Sequence, residues 1–91
     1  MEITKLKRQC TIQLDEETKY SEIKQSKIID LNALDKITLD FSNIQRVNSH
    51  VLNIIAFLRK NFDNTIAIIN INENAKDKLN TFGLIRYFTF E

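Results

Sequence analysis

Ser49 and His50 stand side by side, with Asn48 immediately before them and Asp40 further upstream. A hydroxyl, an imidazole and a carboxylate are the groups of a nucleophilic centre. Neighbours on a helix, however, project about 100° apart, so Ser49 and His50 do not face each other. No third residue is placed to orient the imidazole, and the pattern points away from catalysis. His50 reads instead as an exposed member of a binding surface. A metal site is poorly supported as well, because Asp40, Asn48 and His50 would need further ligands converging on them. Asp40, at the end of a strand, is placed to hold the loop amides from Ser42 to Ile44.

Ser49 falls at the start of a helix. A serine there commonly caps the free amides of the first turn, and Asn48 could cap them equally well. The same amides and the positive end of the helix dipole stabilise added negative charge. A phosphate on Ser49 would therefore be tolerated by the domain while adding about −2 charges to its surface. That combination suits a binding switch.

Other chemistries are narrowed by composition. Gly83 is the only glycine and proline is absent. A phosphate-cradling loop of the dinucleotide or P-loop kind needs several glycines for its backbone to approach the ligand, so none is expected. Thirteen basic and twelve acidic residues leave a formal net charge of +1. That balance argues against sequence-independent nucleic-acid binding. No apolar run reaches the roughly 18 residues of a membrane span, and the first residues lack an export pattern. Cys10 is the only cysteine, which fits a reduced, cytoplasmic setting. It alternates with Ile12 and Leu14 on one side of a strand and reads as core.

The elements that must position Ser49 follow from periodicity. Gln9 to Leu14 alternates polar and apolar, the period of a half-buried strand. Residues 2–8 form a preceding strand with a bulge or turn near Lys7, since Ile3 and Leu6 are out of phase. Asp15 to Thr18 is a loop. A short helix beginning near Ser21 would turn Tyr20, Ile23 and Ile28 or Leu31 inward. Ile37 to Phe41 is a strand, and 42–48 a loop. Val51, Ile54, Ile55, Leu58 and Phe62 mark an amphipathic helix. The run 65–71 is apolar on both faces, as in a strand covered on both sides. Strand, helix and strand make a right-handed βαβ crossover with parallel strands. A second long helix over 73–82 has Asn72 as N-cap, Ala75, Leu79 and Phe82 as its buried stripe, and Gly83 as the left-handed residue that ends it. Leu84 and Ile85 pack back on the core, and Tyr87 to Phe90 adds a final short strand. Among Phe82, Tyr87, Phe88 and Phe90 some must be core, and any exposed remainder could serve an interface.

The stretches Ile37-Thr38-Leu39-Asp40-Phe41-Ser42, Val47-Asn48-Ser49-His50-Val51-Leu52 and Leu79-Asn80-Thr81-Phe82-Gly83-Leu84 resemble STAS domains in order and spacing. That family includes bacterial anti-sigma-factor antagonists and transporter-associated modules. By this resemblance Asp40 matches the strand-end aspartate, and Ser49 the serine phosphorylated in antagonists regulated by a partner kinase. Gly83-Leu84 matches the C-terminal step. Asn48 stands where the family has aspartate, His50 where it has a second serine or threonine, and Val51 where it has glycine. The asparagine removes a carboxylate, and the valine adds bulk where another backbone would approach.

The expected fold is α/β, a STAS-like, mostly parallel sheet of four to five strands with helices packed against it, forming one domain over 1–91. The resemblance implies a non-enzymatic protein–protein interaction module without cofactor or metal. Its partner would be a kinase-type anti-sigma factor, with regulation by phosphorylation at Ser49. The alternative is an accessory STAS subunit docking on the cytoplasmic ATPase of an ABC-type phospholipid transporter. The expected partner surface comprises Asp40, Ser42, Asn43, Arg46, Asn48, Ser49, His50 and Asn53. Arg46, Arg59 and Lys60 are otherwise solvated charges, and of these Arg46 is the contact to test.

Overall fold

The structure, a computed structural model, describes residues 1–26 and 30–91. β1 (Glu2–Leu6) and β2 (Gln9–Asp15) form an antiparallel hairpin, followed by α1 (Tyr20–Gln25), β3 (Lys36–Asn43) and α2 (Ser49–Asn61). β4 (Thr65–Ile69), α3 (Glu73–Thr81), a single 3-10 turn (Ile85–Tyr87) and β5 (Thr89–Phe90) complete the chain. The strands lie in the order β1-β2-β3-β4-β5, and every pair from β2 onward is parallel. The sheet is mostly parallel, as expected, and has five strands, the upper of the expected four to five.

The hairpin turns at Lys7, whose φ of 57° is the left-handed conformation a two-residue hairpin requires. This accounts for the phase change in the sequence: Ile3 packs against the core, and Leu6 faces outward and is exposed.

Register assembles the core. Cys10 lies beside Ile37 and Ile37 beside Ile66; Ile12, Leu39, Ile68 and Phe90 form a second row. Directly opposed residues share a face, so each row is a continuous apolar ridge. Ile23 of α1, Val51, Ile54, Ile55 and Leu58 of α2, and Ala75 and Leu79 of α3 close over these rows in one cluster. Burying each of these valine, leucine and isoleucine side chains contributes about 1.5–3 kcal/mol. The opposite side of β4 is thinner than its composition suggested. Ala67 is buried between Thr38 and Thr89 of the adjoining strands, but Ile69 is only partly covered.

Four further differences have physical causes. β4 ends at Ile69 rather than 71, because Asn70 adopts a φ of 58° that breaks the extended chain. α3 ends at Thr81, and Phe82 is 50% exposed instead of buried. The final strand covers only Thr89–Phe90, since Ile85–Tyr87 is wound into the 3-10 turn. Tyr20 is 44% exposed and rests on Phe57, so Ile23 is the residue by which α1 enters the core. Leu31 packs against the core, whereas Ile28, the other inward candidate, lies outside the described residues. Gly83 performs its expected role with a φ of 71°. Leu84 N–H donates to Leu79 O and Gly83 N–H to Asn80 O, the paired bonds of a left-handed helix end.

Candidate functional site

Parallel strands bring their C-terminal ends to one edge, where the loops that follow can converge. Here the exits of β2, β3 and β4 meet as segments 15–18, 42–48 and 70–72. Each is fixed by side-chain hydrogen bonds.

Asp15 and Thr18 shape the first. Asp15 Oδ1 accepts from Glu17 N–H at 2.9 Å and from the buried Thr18 hydroxyl at 3.0 Å. These bonds, that from Glu17 foremost, hold the Asp15 carboxyl below the usual carboxylate range. The turn presents Glu16 to the second loop. Its carboxylate accepts from Gln45 N–H at 3.0 Å and its backbone carbonyl from Asn48 Nδ2 at 2.6 Å. Glu16 carried no signal in the sequence, because its role depends on β2 and β3 leaving the sheet side by side.

From the third loop, Asn72 donates Nδ2 to Ile44 O and Gln45 O, both at 3.2 Å, while its Oδ1 caps α3 at Ala75 N–H, 2.7 Å away. Asn70 donates to Asp40 Oδ1 at 3.0 Å, which also accepts from Ser42 N–H at 2.9 Å. Partial burial pushes the Asp40 carboxyl up, but the bonds from Asn70 and Ser42 outweigh it and hold the group below the usual range. Asp40 thus clasps two strand exits together. It holds only the Ser42 amide of its own loop, because Ile44 N–H turns back to Phe41 O.

α2 starts from this frame. Asn48 is its N-cap, with Oδ1 accepting from Val51 N–H at 3.0 Å. Ser49 is therefore not the cap. It is the first helical residue, exposed, with no hydrogen-bond partner for its hydroxyl among the described residues. His50, expected to be exposed, is partly buried instead, and it makes no hydrogen bond to Ser49. Asn48 must be an amide here: its oxygen accepts from Val51 N–H and its nitrogen donates to Glu16 O, and a carboxylate could not do the second. Val51 is fully buried in the core, so the bulk expected at the approach surface is turned inward.

The other expected contacts distribute around Ser49. Ser42 and Asn43 are exposed at the β3 exit, where Ser42 Oγ accepts from Gln13 Nε2 at 3.2 Å. Asn53 is exposed one turn along α2. Arg46 is exposed, has no carboxylate partner among the described residues, and lines a recess with Val47, Asn74 and Lys78. No group of three or more His, Cys, Asp or Glu comes together to hold a metal among the described residues. No helix of the described residues is long and apolar enough to cross a membrane.

Comparison with solved structures gives the fold its family likeness. The NMR structure of the protein TM1081 superposes with a TM-score of 0.76 at 18% identity, covering 98% of this chain and 78% of that one. A chain from the structure describing the molecular architecture of the stressosome, "a signal integration and transduction hub", gives a TM-score of 0.73 at 18% identity, covering 98% and 85%. The fold is STAS-like. No family model matches the sequence, and no curated protein matches it. The STAS-like likeness is therefore one of fold, with the order of motifs around Asp40, Ser49 and Gly83 as its sequence counterpart.

Proposed function

We propose that the chain is a STAS-type protein-interaction module of the anti-sigma-antagonist kind, with Ser49 as its phosphorylation switch. The observation that carries this reading is the state of Ser49: exposed, without a hydroxyl partner among the described residues, and set at a helix start whose cap is supplied by its neighbour Asn48. A serine needed as a cap could not be modified without loss of that cap. Ser49 is free of that duty, while the amides of the first turn and the helix dipole favour the phosphate it would receive.

The partner surface is the edge built by Asp40, the 42–48 loop and the first turns of α2. Ser42, Asn43, Arg46, Ser49, His50 and Asn53 supply its polar contacts. Asp40 and Asn48 act beneath it, by fixing the loop. Two of the three departures from the family motif are structural in origin: Asn48 serves the Glu16 carbonyl, and Val51 fills the core. Neither removes a group from the exposed edge. The partner on this reading is an anti-sigma factor with serine-kinase activity, and phosphate at Ser49 dissociates it by charge repulsion and loss of fit.

Incubation with ATP and each kinase of that class from the source organism tests the reading. Mass spectrometry should place the phosphate on Ser49. Absence of Ser49 phosphate with every such kinase would overturn the proposal. Capture of an ABC-type ATPase, with Ser49→Asp still bound, would support instead the accessory subunit of a phospholipid transporter.

A further inference from the structure

The outer faces of α1 and α2 enclose a groove of about 490 Å³ beyond the edge that holds Ser49. Its apolar part is Tyr20, Ala56 and Phe57, with the two rings 5.9 Å apart. Lys24 and Lys60 also line it and no described lining residue is acidic; Glu22, the acidic residue of α1, is outside the lining and accepts from Lys19 N–H. Tyr20 and Ala56 are exposed, so this apolar surface is open to a partner.

The charge pattern extends beyond the groove. α2 has no Asp or Glu along its 13 residues. A carboxylate in the first turn would be favoured by the helix dipole, yet that turn has none. Exposed Ser49, Asn53, Ala56 and Lys60 follow one another at helical spacing, so a single stripe runs from the first turn of α2 into the groove. Exposed aromatic carbon and two cations in one lining, with no acidic residue among the described lining residues, match a ligand with an apolar face and a negatively charged flank.

We infer that the α1–α2 groove seats an acidic amphipathic helix of a protein partner. Leucine-like side chains of that helix pack on Tyr20, Ala56 and Phe57, while its carboxylates meet Lys24 and Lys60. The inference deepens the proposed function by extending the partner surface along α2, but its test does not depend on Ser49.

The full chain, ¹⁵N-labelled, is titrated with a helical peptide of about 18 residues, long enough for five turns, carrying a leucine face and a glutamate face. A counterpart with lysine in place of glutamate is the control. The expected result is amide shifts centred on Tyr20, Asn53 and Phe57, with the acidic peptide binding at least about tenfold more tightly and weakening with salt. The double variant Lys24→Glu with Lys60→Glu should reverse the preference at an unchanged unfolding midpoint. Equal binding of both peptides, or shifts confined to other surfaces, would overturn the inference. So would retention on phosphatidylglycerol vesicles without peptide binding, which assigns the groove to lipid. Concentration-dependent shifts of the same amides in the chain alone would assign it to a second copy. Loss of the Ser49 effect with groove binding intact would instead count against the switch reading alone.

Discussion

Asn48 joins the β2 exit to the start of α2: its Nδ2 donates to Glu16 O at 2.6 Å while its Oδ1 accepts from Val51 N–H at 3.0 Å. Asn72 repeats the arrangement one crossover later, capping α3 with its oxygen and holding the Ile44 and Gln45 carbonyls with its nitrogen. Two asparagines therefore fix the 44–48 loop from both ends.

The first prediction separates the cap from the switch. Asn48→Ala removes the cap and the bond to Glu16, a combined cost of about 2 kcal/mol. Ser49→Ala should lie within about 0.5 kcal/mol of wild type, since the hydroxyl has no hydrogen-bond partner among the described residues. Asn48→Asp restores the family residue but loses the donor to Glu16, and should also destabilise despite its favourable charge at the helix start. Chemical denaturation monitored by circular dichroism measures all three. A larger loss in Ser49→Ala than in Asn48→Ala would reassign the cap.

The clasp between Asp40 and Asn70 gives a second prediction. Asn70→Ala loses the bond to Asp40 and places alanine at a φ of 58°, whereas Asn70→Gly loses only the bond. The alanine variant should be less stable than the glycine variant by about 1 kcal/mol. Asp40 is depressed in the folded state, so its contribution is present above the unfolded carboxyl pKa and fades as pH falls through the lower folded value. Asp40→Asn should flatten the stability–pH curve in that acidic window. An unchanged curve would show that the clasp is not ionic.

Tyr87 provides a third. The hydrogen bond from Arg86 Nη2, 3.1 Å from the phenol oxygen, together with the charge of Arg59 stacked 3.4 Å from the ring centre, holds the phenol below the usual tyrosine range. Ultraviolet titration should resolve one tyrosine ionising early, and Arg86→Ala should move it upward. An unmoved transition in Arg86→Ala would contradict this assignment.

A fourth prediction concerns the end of α3. Leu79 is fully buried and Phe82 half exposed. Leu79→Ala should cost about 2–5 kcal/mol, and Phe82→Ala under about 1. Equal losses in thermal or denaturant unfolding would place Phe82 in the core after all.

Most of the frame was legible because its periods are long and regular. The alternation of Cys10, Ile12 and Leu14, and the 3- and 4-residue spacing from Val51 to Leu58, are direct imprints of burial on one face. α1 was harder to place because Ile23 is its only buried residue. Phe82 follows the apolar spacing of α3 yet is exposed, because that spacing runs one residue past the last turn, where Gly83 redirects the chain. Of the site, Asp40, Asn48 and Ser49 were visible as a motif. Glu16 and Asn70 were not: one belongs to an unremarkable polar loop and the other to the end of an apolar run. Their roles arise when parallel strands set three loops at one edge, a relation that no local pattern encodes.

Ser49 is proposed as the switch of a partner-binding edge. Its most direct test is the affinity of one kinase-type partner for wild type, Ser49→Ala and Ser49→Asp, measured by calorimetry at fixed salt. Wild type and Ser49→Ala should bind within about threefold of each other, and Ser49→Asp at least about a hundredfold more weakly, a difference of about 2.7 kcal/mol. Binding of Ser49→Asp at wild-type strength would contradict the account.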